Sequence, residues 1–132
     1  MKSLLFGLLF CVICFFTAAT SYGASNVNAW GDIDIENNPG IPIGSLEGAI
    51  SLSCAPNPRV RFFSGKFQFS NVPTNVPCNF EISVNTPAGW ANYRSTYKFT
   101  PAGFLAGHDG RKAAGQMGKF VVNLRNATIS EK

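Results

Sequence analysis

The stretch Cys78-Asn79-Phe80-Glu81-Ile82-Ser83-Val84-Asn85 alternates strictly between apolar and polar residues. A period of two is that of a β-strand with one face buried and the other exposed to solvent. The sequence therefore predicts a strand over these residues. Its core face would carry the apolar side chains Cys78, Phe80, Ile82 and Val84.

Shorter runs of the same kind lie on both sides of this strand. Residues 48–54 and 119–125 alternate, residues 95–100 place Tyr97 and Phe99 inward, and residues 59–70 read as a hairpin turning at Ser64-Gly65. All eight prolines and eleven of the thirteen glycines follow residue 23, which leaves no room for long helices. The prediction is an all-β domain, a single antiparallel β-sandwich of six or seven short strands.

The N-terminal residues have the pattern of a secretory signal peptide. Lys2 precedes an apolar run over residues 4–16, and Ser21-Tyr22-Gly23 fits a signal-peptidase site, with cleavage after Gly23 or Ala24. The run is too short for a permanent membrane span, so we expect a secreted or periplasmic protein. The predicted division is a signal peptide at 1–23, a polar segment with a possible first strand at 24–45, a β-sandwich at 46–125 and a tail at 126–132.

Cys54 and Cys78 are the only cysteines that would remain after cleavage. One distant histidine, His108, does not complete a tetrahedral metal site with them, and redox cysteines are closely spaced. We therefore predict a structural disulfide and neither a metal site nor a cofactor. In the chain-entropy account such a bridge contributes about 3 kcal/mol.

The search for catalytic residues centres on His108, the only histidine. Asp109 is too close in sequence to orient its ring from behind, and the chain has no Gly-x-Ser-x-Gly motif. The carboxylates Asp32, Asp34 and Glu36 alternate with Ile33 and Ile35. This pattern predicts that they lie on the solvent-exposed face of a strand, which argues against a catalytic pair of carboxylates. We predict no catalytic residues, and a small secreted hydrolase that uses His108 with an acidic residue remains an alternative.

Two segments, 86–90 and 100–104, repeat the order Thr-Pro-Ala-Gly-aromatic. The favoured prediction is that each turn tucks its aromatic residue back onto the sandwich, because aromatic side chains after turns usually supply buried area. The alternative is that Trp90 and Phe104 are paired aromatic residues at loop ends that stack on sugars or contact another protein. A carbohydrate-binding domain would use Trp90, Tyr93 and Tyr97 as ligand-binding residues, with Trp30 as a further candidate.

The charges are unevenly placed along the chain. Residues 24–58 carry only acidic charges, whereas residues 59–132 carry ten Lys or Arg against three acidic residues. Such asymmetry can attract an acidic partner, or it can be a solvated surface of mixed charge. A secretion signal argues against nucleic acid as the binding partner. Asn126-Ala127-Thr128 is a candidate glycosylation sequon past the last predicted strand.

Three motifs within residues 46–90 resemble those of the prealbumin-like sandwiches, which include carboxypeptidase-regulatory-like and Cna-B-like modules. They are Leu46-Glu47-Gly48-Ala49-Ile50-Ser51-Leu52-Ser53-Cys54, Ser64-Gly65-Lys66-Phe67-Gln68-Phe69-Ser70-Asn71-Val72-Pro73 and Cys78-Asn79-Phe80-Glu81-Ile82-Ser83-Val84. The cysteines also fall where pollen Ole e 1-like domains place a pair. The resemblance implies a non-enzymatic binding or structural module, of cell-wall or adhesion type. Its expected partner is a cell-wall polysaccharide or another extracellular protein, and we expect a monomer.

Overall fold

The computed structural model describes residues 26–132. The predicted signal peptide at 1–23 lies outside these residues. The described chain forms eight β-strands and one short 3-10 helix at Ile43–Ser45. The strands are β1 (Asn26–Glu36), β2 (Gly48–Leu52), β3 (Arg59–Arg61), β4 (Gly65–Pro73), β5 (Cys78–Thr86), β6 (Gly89–Tyr97), β7 (Gln116–Asn123) and β8 (Thr128–Glu131).

The strands form two four-stranded sheets. The first sheet has the order β4-β1-β7-β8 and the second has the order β3-β2-β5-β6. The predicted all-β sandwich is confirmed, with eight strands. Every strand pair is antiparallel except β1 and β7, which are parallel, so the first sheet is mixed.

The hairpin predicted over residues 59–70 is wrong. β3 pairs with β2 in the second sheet, whereas β4 pairs with β1 in the first. The chain crosses from one sheet to the other after Arg61, and Phe62 is buried in the core at the crossing. Both strands alternate towards the same core from opposite sheets, so their alternation looks the same as that of a hairpin.

Both predicted end segments belong to the sandwich. β1 lies between β4 and β7, and residues 128–131, predicted to be tail, form β8 at the edge of the first sheet. The β-sandwich therefore extends beyond both predicted boundaries, residues 46 and 125, and these boundaries are wrong. β8 escaped the sequence pattern because Ile129 is its only apolar residue, and its pairing with β7 decides its conformation.

The core lies between the two sheets and is largely aromatic. The predicted inward face of β5 is confirmed, since Cys78, Phe80, Ile82 and Val84 are all buried. Phe80 stacks on Phe67 of the first sheet with 5.7 Å between ring centroids, and Phe120 lies 5.3 Å from Phe80. Burying each such side chain contributes roughly 1.5–3 kcal/mol, so these contacts hold the sheets together.

The predicted bridge between Cys54 and Cys78 is present. The two Cα atoms are 5.4 Å apart, and the bond ties the residues after β2 to the first residue of β5 across 24 residues of chain. It thereby closes the loop that contains the crossing between the sheets. No helix within residues 26–132 is long and apolar enough to cross a membrane.

Candidate functional site

β6 alternates between the core and solvent, and this alternation separates the predicted aromatic site. Tyr97 is fully buried and Tyr93 is half-buried against the core, whereas Trp90 is 51% exposed on the opposite face. The structure therefore does not bring Trp90 together with the two tyrosines. A ligand on the outside of the sandwich can reach Trp90 alone.

The prediction that the two repeated turns bury their aromatic residues is wrong, because Trp90 is 51% exposed and Phe104 is 48% exposed. In the first turn, the Thr86 hydroxyl accepts a hydrogen bond from the Ala88 N–H and donates to the Gly89 carbonyl. β6 begins at Gly89, and Ala91 takes the buried position. Trp90 must then point outward.

Trp90 belongs to the outer face of the second sheet, on which the strand registers align mostly polar side chains in rows. One row crosses all four strands and consists of Arg59, Ser51, Glu81 and Arg94. The next row consists of Arg61, Ala49, Ser83 and Asn92. With strands about 4.8 Å apart, each row is about 14 Å wide.

Two concavities lie along this face. One has a volume of about 190 Å³ and is lined by Glu47, Gly48, Ala49, Ser51, Arg59, Glu81, Ser83 and Trp90. The other has a volume of about 490 Å³ and is lined by Asn79, Phe80, Glu81, Arg94, Ser95 and Thr96. Glu81 lines both, so the two concavities are neighbours, and we refer to them together as the groove. The groove offers one indole ring and many hydrogen-bonding groups.

The charges on the outer face are only partly matched. Arg94 forms an ion pair with Glu81 on the adjacent strand. Arg59 and Arg61 are exposed, and neither forms an ion pair with any residue from 26 to 132. Arg61 donates a hydrogen bond to the Gly44 carbonyl, which fixes its head beside the 3-10 helix.

A second polar cluster lies where the edge strands β6 and β8 meet the loop of residues 98–115. The Ser95 hydroxyl is 2.9 Å from Nδ1 of His108, and Nε2 of His108 bonds a carboxylate oxygen of Glu131. Tyr93 donates to the same oxygen at 3.1 Å, and Nζ of Lys112 lies 3.2 Å from the other. The side chains are 30% exposed for His108 and 16% exposed for Glu131.

The cluster changes the acid–base properties of its members. Burial disfavours the charged form of Glu131, but hydrogen bonds from His108 and Lys112 outweigh it, and the pKa of Glu131 is lowered. Burial likewise opposes the charge of Lys112, yet its bond to Glu131 raises the pKa of Lys112. Burial raises the pKa of Tyr93. Glu131 is therefore a carboxylate and Lys112 an ammonium at neutral pH.

Sequence reasoning singled out His108 but missed its partners. Ser95 and Glu131 are distant in sequence, and only the pairing of strands brings them to the histidine. Gly118 makes room for Glu131, because a Cβ at this position would lie 2.5 Å from Oε1 of that residue. Its φ of +135° is also one that favours glycine. No local motif marks these positions.

The other predicted site residues lie elsewhere. Trp30 is in the first sheet, with Nζ of Lys66 4.3 Å from its ring centroid, so it does not join Trp90. Asn126 is exposed in the turn between β7 and β8, and the Thr128 hydroxyl donates to its side-chain oxygen at 2.6 Å. Among residues 26–132, no group of three or more His, Cys, Asp or Glu side chains could hold a metal ion.

Another concavity lies where the turn between β5 and β6 approaches the residues that follow β1 and β7. It has a volume of about 510 Å³ and is lined by Asn37, Asn38, Pro39, Pro87, Ala88, Leu124 and Arg125. No aromatic side chain is part of this lining, so it has no platform for a ring. The outer face of the second sheet is the better candidate site. Comparison of the chain with protein-family models, with curated proteins and with solved structures finds no significant match.

Proposed function

We propose that this chain is a secreted, non-enzymatic binding module of the prealbumin-like class. Three observations support the proposal. The motifs that carry the resemblance contain β2, β4 and most of β5. The disulfide suits an oxidising compartment, and the first residues have the pattern of a signal peptide.

The ligand we propose is a polysaccharide bound on the outer face of the second sheet. The observation that carries this proposal is the half-exposed indole of Trp90 beside a groove of polar side chains. A sugar ring has an apolar face that can pack on an aromatic ring, while its hydroxyl groups need donors and acceptors. Ser51, Ser83 and Glu81 supply such groups in the groove.

Binding to a panel of cell-wall polysaccharides and glycans tests this proposal. Trp90→Ala should weaken binding by roughly tenfold or more, the equivalent of about 1.4 kcal/mol, without lowering the melting temperature. Phe104→Ala is the matched control, because Phe104 is equally exposed but lies outside the outer face. Failure of the wild type to bind any glycan, or unchanged binding by Trp90→Ala, contradicts the proposal.

Export has its own test. Mass spectrometry of the protein secreted by its source, or by a host that processes signal peptides, should find Ala24 or Ser25 at the N-terminus. An intact Met1 or Lys2 on the exported protein contradicts the proposed signal peptide.

A second candidate function is ester hydrolysis, which the contacts of His108 favour. Glu131 accepts the Nε2 proton of His108, so Nδ1 is left free to take the proton of the Ser95 hydroxyl. Ser95 Oγ would bond to the acyl carbon, the leaving group would depart with that proton, and water would then release the acid. This is the nucleophile–base–carboxylate order of covalent catalysis.

A fluorophosphonate probe separates the two candidates, because it modifies only activated serine hydroxyls. Hydrolase function predicts one labelled serine in the wild type and no labelling of Ser95→Ala or His108→Ala. Ser83→Ala serves as the control, since Ser83 is on the outer face of β5. An unlabelled wild type removes this second candidate.

A further inference from the structure

Two arginines on β3 form a positively charged pair at the edge of the second sheet. Arg59 and Arg61 are exposed and point to the same side of their strand, because Val60 between them packs against the core. Residues two apart on a strand are about 7 Å from one another. Neither guanidinium meets a carboxylate anywhere in residues 26–132, so two like charges lie side by side without a counter-charge.

The other charged groups of the outer face leave this positive charge largely in place. Arg94 neutralises Glu81 in the same row as Arg59. Glu47 lines the groove as the remaining acidic group, so the arginines Arg59, Arg61 and Arg94 exceed the two carboxylates by one charge. The excess is at the β3 edge, whereas Trp90 lies on β6 at the opposite edge.

The aromatic ring at one edge of the face and the positive charge at the other together indicate one type of ligand. We infer that the polysaccharide bound here is acidic and carries sugar carboxylates, as polyuronates do. This inference rests on the proposed function and names the ligand class of the same site. One sugar ring packs on Trp90, and carboxylates further along the chain meet Arg59 and Arg61. Arginine suits this role because its planar fork can donate two parallel hydrogen bonds to one carboxylate.

The shape of the face agrees with an extended ligand. The rows of side chains are about 14 Å wide, and the groove continues from Trp90 past Ser83 and Ser51 to Arg59. A single sugar could not contact both Trp90 and the arginine pair. A short linear chain of several rings could contact both, and this predicts that affinity increases with chain length.

The test compares polygalacturonate oligomers with the same oligomers after methyl esterification of their carboxyl groups. Calorimetry should show the wild type binding the free acid roughly tenfold or more tighter than the ester, with the difference shrinking as salt is added. Arg59→Gln combined with Arg61→Gln should abolish this preference by lowering the affinity for the free acid to that for the ester. Lys66→Gln combined with Lys119→Gln, on the first sheet, removes the same charge and should leave the preference intact.

The outcomes separate this inference from the proposed function. Equal affinity for acid and ester, with both lost in Trp90→Ala, overturns the acidic ligand and keeps the polysaccharide-binding face. Binding of poly-glutamate as tight as that of polygalacturonate also overturns it, because charge alone, or an acidic protein, would then explain the arginines. Absence of binding to every polysaccharide contradicts the proposed function itself.

Discussion

Trp90 and Tyr97 lie on opposite faces of the same strand, β6. Trp90 is half exposed beside the groove, and Tyr97 is fully buried with its ring 5.3 Å from that of Phe80. Both side chains are aromatic, yet one is available to a ligand and the other is packed in the core. Substitutions at the two positions should therefore have different effects.

The first prediction concerns stability at these two positions. Tyr97→Ala should lower the free energy of unfolding by about 3–5 kcal/mol, because it leaves a large cavity in the aromatic core. Trp90→Ala should change it by less than about 0.5 kcal/mol, as is usual for surface positions. Urea unfolding of both variants measures the difference. Similar losses for both would mean that Trp90 is also part of the core.

The second prediction concerns the two faces of β5. Ile82 is fully buried, whereas the neighbouring Ser83 lines the outer groove. Ile82→Ala should cost roughly 2–5 kcal/mol of unfolding free energy, and Ser83→Ala should cost far less. Thermal unfolding of the two variants, with the wild type alongside, checks this. Equal shifts of the melting temperature would contradict the assigned faces.

The third prediction concerns the bridge between Cys54 and Cys78. Replacing both cysteines with alanine should cost about 3 kcal/mol in a chain-entropy estimate, because the unfolded chain loses a closed loop. Thiol titration of denatured protein that lacks residues 1–23 should find no free cysteine, and non-reducing gels should show a monomer. Two titratable thiols, or a dimer that reduction separates, would contradict the intramolecular bridge.

The fourth prediction concerns acid stability at Glu131. Burial opposes its charge, but the bonds from His108 and Lys112 lower its pKa below the ordinary 4.5. A carboxylate with a lower pKa in the folded state stabilises the fold above its unfolded pKa and loses that contribution as the pH falls through its folded pKa. The free energy of unfolding of the wild type should therefore decrease as the pH is lowered below about 4.5. It should decrease less in Glu131→Gln. Parallel pH profiles of the two proteins would contradict this.

Local patterns in the sequence account for much of the fold. The alternation over 78–85 identified β5 and its buried face, and the two cysteines that follow residue 23 form the bridge. The outward position of Trp90 follows from β6, in which Ala91 and Tyr97 share the buried face. The sequence pattern predicts a strand only over 95–100, so it does not assign a face to Trp90.

The remaining features depend on contacts between residues distant in sequence. The crossing at Phe62 and the pairing of β8 depend on which strands become neighbours in the two sheets. Alternation along a strand indicates its buried face but does not identify the strand with which it pairs. Ser95, His108 and Glu131 likewise meet only because β6 and β8 are edge strands on the same side of the sandwich. The row from Arg59 to Arg94 needs three strand registers at once.

The most direct test of the account is fluorescence of Trp90 itself during polysaccharide titration. The chain has two tryptophans, and Trp30→Phe leaves Trp90 as the only one while keeping a ring beside Lys66. Polygalacturonate should produce a saturable change in the emission of Trp90 and protect it from acrylamide quenching. Binding that calorimetry detects but that leaves the emission and quenching of Trp90 unchanged would contradict the proposed binding face.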